Sequence, residues 1–324
     1  MQDSLTAIAE RFKELDNILI FPHINMDGDA IGSASALCLA LRQMGKNAYV
    51  FVCENTPDNL DFLEMNCVTD DASVIEEPGA TIMVDCNGYD RIRGREEIFC
   101  KGAVKGCIDH HAVGSSDIEY DFYHCESDSA ATGEIIYLLL KEMGTEITLD
   151  IANCIFASIT TDTGNFQHSN TSRRSHMIVA DLYDIEGFDS KYVSALIYDR
   201  KSKAEFKLET IVLSGLEFYA GGKVAVGLVS QELLATTGCR LSHADAIIQR
   251  VMSIKGVEVG AVIKQNPDGV FKASLRAKSY ANVAAVAAVF GGGGHIKAAG
   301  CTLGKELIEK KIALVEELTK AVNE

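Results

Sequence analysis

Four short segments of this 324-residue chain carry side chains suited to holding divalent cations. The first, His23-Ile24-Asn25-Met26-Asp27-Gly28-Asp29, places one imidazole and two carboxylates in a single tight stretch. Hard cations take oxygen ligands, and an imidazole adds affinity for manganese, iron or zinc. The second is Asp85, directly after the apolar run Thr81-Ile82-Met83-Val84. The third is Asp109-His110-His111, after Gly106-Cys107-Ile108, and the fourth is Thr160-Thr161-Asp162-Thr163-Gly164. Side chains alternate along extended backbone, so His110 and His111 point apart. One can bind a metal while the other serves substrate or water. Each segment alone also has a plain structural explanation: a strand-to-helix turn with Asp29 near a helix N-terminus, a turn aspartate, a helix end capped by Gly164. Taken together, His23, Asp27, Asp29, Asp85, His110 and Asp162 supply two imidazoles and four carboxylates. Four carboxylates in one pocket repel one another without cations. Two divalent ions balance them, and such a pair, about 4 Å apart, lowers the pKa of a shared water and holds it as hydroxide at neutral pH. The same ions offset charge on a phosphoryl group in transfer.

The surrounding pattern supplies elements to carry these residues. Short continuous apolar runs at 17–21, 48–52, 81–84 and 106–108 read as strands, with a helix from Ala30 to Gln43 between the first two. Such strands, separated by helices, suggest a parallel sheet covered on both faces. Ligands sit beyond the carboxyl ends of the strands in sheets of this kind, where three of these runs deliver His, Asp or both. Helical patterns at 131–142, 151–160, 172–183 and 192–198 follow, then a linker helix near 200–217. Strand signals return at 223–229, 257–264 and 270–277, the last two flanking the hairpin turn Asn266-Pro267-Asp268-Gly269. A helical stretch at 283–290 runs into Gly291-Gly292-Gly293-Gly294-His295, and an amphipathic helix covers 306–322. The expected class is α/β: a parallel-sheet N-terminal domain over 1–187, a linker helix region over 188–209, and a smaller α/β domain over 210–324.

Composition narrows the function. Apolar residues make up 47% and charged residues 23%, enough for packed cores and against disorder. No apolar run approaches the roughly 20 residues of a membrane span, and Met1 to Leu15 lacks the unbroken apolar stretch of a signal peptide. The expectation is a cytoplasmic protein with no membrane partner. Lys plus Arg is 30 against 46 for Asp plus Glu, a net charge of −16, which disfavours binding to long nucleic acid. Ten cysteines without a CxxC pair read as free thiols.

HINMDGDAIGS, the Asp85 strand end, IDHH and TDTG, in that order, resemble the four motifs of the DHH phosphoesterases. Ser274-Leu275-Arg276 and GGGGHIKAAG (291–300) resemble the associated DHHA1 substrate-binding domain, so the likeness covers nearly the whole chain. The stand-alone nanoRNase / pAp phosphatase type is the most similar form. The resemblance implies that His23 and Asp27 hold one metal, that Asp29, His110 and Asp162 hold a second, and that Asp85 bridges them. It implies two Mn²⁺ ions, Asp109 as the carboxylate that orients His110, and His111 facing the scissile phosphate as a catalytic group. Ser274, Arg276, Gly292, Gly293, Gly294 and His295 would bind the non-scissile end of the substrate. Glycines let backbone N–H groups approach a phosphate, and arginine can fork to it. Met26 stands where the family often has proline, and Cys86-Asn87-Gly88 follows Asp85 where small hydroxyl residues and an acid are frequent.

The expected activity is hydrolysis of very short oligoribonucleotides to mononucleotides and of 3′-phosphoadenosine 5′-phosphate (pAp) to AMP. The alternative is a phosphodiesterase for linear or cyclic dinucleotides such as pApA or c-di-AMP. A non-catalytic nucleotide-binding protein is disfavoured because all six metal positions are present. Homodimerisation is left open.

Overall fold

The computed structural model describes residues 2–111 and 118–323. It divides into two compact units, 1–200 and 201–324. In the first unit the elements follow as α1 (Leu5–Glu14), β1 (Ile18–Phe21), α2 (Gly28–Gln43), β2 (Ala48–Phe51), β3 (Val68–Thr69), β4 (Ala80–Val84), α3 (Glu96–Cys100), β5 (Val104–Asp109), β6 (Phe122–Cys125), α4 (Thr132–Met143), α5 (Leu149–Asp162), α6 (Arg173–Leu182) and α7 (Ser190–Tyr198). The strands form a six-stranded sheet in the order β3-β2-β1-β4-β5-β6, and every neighbouring pair is parallel. Strand order therefore reverses between β1 and β4. At such a switch point the crossover helices leave on opposite faces and a crevice opens at the strand carboxyl ends.

Alternation along β1 shows how the sheet is covered. Ile18 and Ile20 join the core under α1, α2, α4 and α5, whereas Leu19 and Phe21 pack on the other face with Phe51, Met83 and Phe99. Helix α2 is apolar or small nearly all round and is buried over most of its length, as such a helix must be. Its small residues allow close approach to α5: a Cβ on Gly32 would lie 2.6 Å from the carbonyl oxygen of Cys154. That approach matters because α2 carries Asp29 and α5 ends on Asp162.

The second unit holds α8 (Lys203–Ser214), β7 (Glu217–Tyr219), β8 (Val224–Val229), α9 (Gln231–Thr237), α10 (Ile247–Met252), β9 (Val259–Gln265), β10 (Phe271–Ala277), α11 (Val283–Val289), β11 (Gly293–His295), β12 (Ala298–Gly304) and α12 (Leu307–Ala321). Its sheet order is β11-β12-β10-β9-β8-β7, antiparallel except for β8–β9. Leu275, Ala273, Ala299 and Cys301 line a core under α11 and α12. Val262 on the opposite face packs beneath α8 and α10. The chain is thus α/β, with a parallel six-stranded sheet in the first unit and a mixed six-stranded sheet in the smaller second unit.

Local patterns did not reveal β3, β6, β7, β11 and β12, together with α3, α9 and α10. Strands β11 and β12 are rich in Gly and Ala, residues depleted in strands and silent in an apolar-run search. Strand β6 is only four residues long and mixes Phe122 with His124. Among the described residues no helix is long and apolar enough to cross a membrane, and all ten cysteines are free thiols.

Candidate active site

Three adjacent strands at the switch point end in the chemistry-bearing residues. His23 lies two positions beyond β1, Asp85 directly follows β4, and β5 ends on Asp109 with His110 and His111 next. Asp27 caps the N-terminus of α2, accepting from the backbone N–H of Asp29 (3.1 Å) and Ala30 (3.0 Å). Asp29 stands in the first turn of α2, and Asp162 is the last residue of α5. Asp85 has φ +63°, a left-handed conformation that costs a non-glycine residue energy and that aspartate tolerates better than most.

Folding brings all six expected ligands together. One ligand atom from each of His23, Asp27 and Asp85 lies within 4.8 Å of the others, and the same holds for Asp29, His110 and Asp162. Asp85 joins the two groups. Its Oδ2 is 3.4 Å from His23 Nε2 and its Oδ1 is 3.5 Å from His110 Nε2. His110 Nε2 is also 3.3 Å from Asp162 Oδ2 and 3.6 Å from Asp29 Oδ2.

These separations bear on whether cations fit. Ligands bonded to one ion at about 2.0–2.2 Å stand roughly 3–3.6 Å apart. The imidazole tautomers point the same way. His23 Nδ1 is 2.8 Å from the carbonyl oxygen of Ile24, and His110 Nδ1 is 3.1 Å from that of Ser129. A carbonyl only accepts, so each Nδ1 carries the proton and the neutral ring turns a lone pair on Nε2 toward carboxylate oxygens. Lone pair facing lone pair is unfavourable unless a proton or a metal ion stands between them. This is the donor set a metal centre requires, with each ring held through its other nitrogen.

Protonation in the ion-free protein shows the same crowding. Burial and the charges of Asp85, Asp162 and Asp27 push the Asp29 carboxyl well above its usual range, against the Ser158 hydroxyl. Burial, with Asp27 and Asp85, pushes Asp162 up to about 8. Burial pulls His23 down, but hydrogen bonds to Asp27 and Asp85 and their charges outweigh it, raising it to about 10. A cation in the cluster replaces these protons.

The contacts of Asp109 differ from the expectation that it orients His110. Asp109 Oδ1 accepts from the backbone N–H groups of His110 (2.8 Å) and His111 (3.1 Å) and is 2.8 Å from His111 Nδ1, while Oδ2 accepts from Asn87 (2.7 Å). The reason is local. A carboxylate that accepts the next two backbone N–H groups folds the chain back on itself and brings the second following side chain over its own oxygen. The ring held by Asp109 is therefore that of His111, and Ser129 meets His110. His111 is half exposed, with its side chain 49% accessible, and its Nδ1 is 3.6 Å from Asp85 Oδ1. The hydrogen bond to Asp109 raises its pKa against burial.

In the second unit four of the expected substrate residues, Ser274, Arg276, Gly293 and His295, share one sheet face, whereas Gly294, opposite Ala299, points to the other and Gly292 precedes the strand. Ser274 is opposite Gly300, which is opposite Gly293; Arg276 is opposite Ala298, which is opposite His295. Directly opposed residues point to the same side, as do residues two apart. The small Gly300 and Ala298 thus form a floor between Ser274 and Arg276 on β10 and the His295 strand. The last two glycines of the run, Gly293 and Gly294, pair with β12 together with His295. Glycine permits this close approach: a Cβ on Gly294 would lie 2.5 Å from the Ala298 oxygen, and one on Gly292, just before the strand, 2.2 Å from the Gly300 oxygen. Lys297 donates to the carbonyl oxygens of Ser279 (2.5 Å) and Ala281 (3.2 Å).

The segment after β10 is held from the other side by the buried Glu258. Its carboxylate accepts from the backbone N–H groups of Ser279 (2.9 Å), Tyr280 (2.8 Å) and Ala281 (3.0 Å) and from the Ser279 hydroxyl (2.7 Å). Burial opposes ionisation, but these donors hold its pKa below the usual carboxylate value. A depressed folded-state pKa means stability present above the unfolded value and lost as pH falls through the folded one. Glu258→Ala is expected to destabilise the protein by about 2 kcal/mol at pH 7, with the gap to wild type shrinking below about pH 4. Paired denaturant titrations from pH 3 to 8 check this; a gap that stays constant contradicts it.

Comparison with known proteins agrees with this architecture. The family model for the N-terminal domain of the DHH family matches residues 17–159, and that for the DHHA1 domain matches residues 221–324. A bifunctional oligoribonuclease and PAP phosphatase NrnA from Thermus thermophilus is 32% identical, over 98% of this chain and 96% of the relative. A manganese-dependent inorganic pyrophosphatase from Bacillus subtilis is 24% identical, over 76% of this chain and 81% of its own length. The crystal structure of an exopolyphosphatase-related protein from Bacteroides fragilis shares the fold, with a TM-score of 0.90 at 24% identity over 99% of this chain and 97% of that one. The chain belongs to the DHH family of phosphoesterases and carries a DHHA1 domain. It is a hydrolase of that family.

Proposed function

We propose that this protein is a manganese-dependent phosphoesterase that hydrolyses very short oligoribonucleotides to mononucleotides and pAp to AMP. One observation carries the reading: the Nε2 lone pairs of His23 and His110 face four convergent carboxylates around Asp85. The NrnA relatives, in Thermus thermophilus and in Bacillus subtilis, are named for both activities and align over about nine-tenths or more of this chain. Manganese is favoured by the mixed imidazole–carboxylate donor set and by the name of the pyrophosphatase relative.

In this reading His23 and Asp27 hold one ion, Asp29, His110 and Asp162 hold the other, and Asp85 is shared. When bound, such ions would supply an activated water and offset charge on the phosphoryl group. The chain's own groups do the rest. Asp109 fixes the His111 ring through Nδ1, which leaves Nε2 directed away from the carboxylate to donate a hydrogen bond to the phosphate or a proton to the leaving ribose oxygen. Ser274, Arg276, Gly292 and the strand of Gly293, Gly294 and His295 bind the non-scissile end, Arg276 as a two-pronged donor to phosphate.

A side-by-side kinetic panel in Mn²⁺ tests the substrate class: pAp, pApA, c-di-AMP, RNA of two to five nucleotides and a 24-mer. Turnover of pAp and the shortest RNAs at least about tenfold above the 24-mer is expected, because an acidic protein repels a long polyanion. Faster degradation of the 24-mer sinks the proposal, and exclusive turnover of pApA or c-di-AMP replaces it with a dinucleotide phosphodiesterase.

A further inference from the structure

Four of the six ligands are tied to one short segment that no motif includes. Residues 129–134 lead into and begin α4, a helix without a side-chain cap of its own at Ala131. Its first N–H groups are instead taken by a ligand carboxylate. Thr132 N–H donates to Asp29 Oδ2 (2.7 Å), and Gly133 N–H donates to Asp29 Oδ1 (3.1 Å). The Thr132 hydroxyl donates to Asp85 Oδ1 (2.8 Å). The Ser129 carbonyl takes the Nδ1 proton of His110 (3.1 Å). Asn170 Nδ2 donates both to the Ala130 carbonyl (3.1 Å) and to the Asp162 carbonyl (3.2 Å), which links the fourth ligand.

Glu134 anchors this segment. Its side chain is fully buried, and its Oε2 accepts from the Ser129 hydroxyl (3.0 Å) and the Ala130 N–H (3.3 Å). The same carboxylate accepts from the Ser175 hydroxyl (2.5 Å) and from Arg174 Nε (3.0 Å), both on α6. Arg174 reaches on to Glu126 (2.7 Å), whose N–H donates to the Asp109 carbonyl (3.1 Å). A buried carboxylate is costly unless every oxygen is met, and here each has partners. Nothing in the proposed chemistry uses Glu134 directly, since its oxygens are occupied by these donors.

We infer that Glu134, braced by Arg174, is a positioning residue that sets the ion site of Asp29, His110 and Asp162 by fixing the 129–133 backbone. The inference rests on the metal-centre reading above. Glu134 does not touch His110; it locks the residue whose carbonyl chooses the His110 tautomer and ring angle. Partners of this kind tune a metal site about 10–100-fold in affinity. Among the described residues, the site of His23 and Asp27 reaches this segment only through Thr132 and Asp85, so the effect is uneven between the two.

The test is calorimetric titration of Mn²⁺ into the chelator-stripped full chain, together with electron paramagnetic resonance of the loaded protein. Wild type is expected to show two binding events and a coupled-pair spectrum. Glu134→Gln is expected to weaken one event by about 10–100-fold while the other stays within about threefold, with loss of the coupled-pair signal at limiting metal. Arg174→Met, on a part-exposed residue, is expected to give the same selective loss at smaller size and serves if Glu134→Gln does not fold. Unchanged affinities in either folded variant overturn the inference, as does equal weakening of both events, which marks general loosening. A wild type that binds no pair of ions overturns the metal-centre reading itself, a failure read without any variant.

Discussion

Asp85→Asn is expected to abolish paired metal loading and to lower turnover of pAp by about a thousandfold or more. Asp85 places one oxygen within 3.4 Å of His23 Nε2 and the other within 3.5 Å of His110 Nε2. Asparagine keeps the size but offers one neutral oxygen and turns an N–H₂ toward one of the rings. Both proposed ion sites then lose a charged ligand together. Ion-based stabilisation of a phosphoryl transition state is worth several kcal/mol, and each 1.36 kcal/mol is tenfold in rate. The fold is expected to survive, because the left-handed backbone at Asp85 suits asparagine equally. Metal content by mass spectrometry should fall from about two ions per chain, as proposed above, with circular dichroism unchanged. Retained turnover with two bound ions contradicts the shared-ligand role.

His111→Gln separates metal binding from the proton-bearing role. The ring is half exposed and is held by Asp109 rather than by the ligand cluster. Removing it is expected to lower kcat for pAp by about 10²–10⁴-fold, the usual range for a positioned acid or base, with Mn²⁺ affinity changed by less than about fivefold. The sharpest readout is leaving-group dependence. A substrate with a good leaving group, such as a nitrophenyl phosphoester, needs no proton donor and should lose far less rate than pAp. Equal losses on both substrates would instead assign His111 to phosphate binding, and collapse of metal affinity would make it a ligand.

Much of this arrangement was legible because its elements are locally determined. The runs ending at Phe21, Val84 and Ile108 are apolar on both faces, which only a strand covered on two sides explains, and the polar residues then fall where parallel sheets bind ligands. Ser274 and Arg276 alternate with the buried Leu275, so their common face follows from period two alone. Other features were invisible for equally physical reasons. The glycines at 291–294 have no side chains to show a pattern, and β11, which takes in the last two of them, exists only because β12 offers a partner backbone.

By itself the sequence determined which side chains stand at strand ends and helix ends: His23, Asp27, Asp29, Asp85, Asp109, His110, His111 and Asp162. These placements depend on residues a few positions away, and local periodicity records them. Only the tertiary structure decided what each group faces. Apart from the local turn by which Asp109 holds the His111 ring, Ser129 turned out to fix the His110 tautomer, and Glu134 with Arg174 to brace the segment that donates to Asp29 and Asp85. Those pairings join residues up to about a hundred positions apart, as between Asp29 and Thr132. Hydrogen-bond direction and helix packing set them after the chain has closed, and no short-range pattern encodes either.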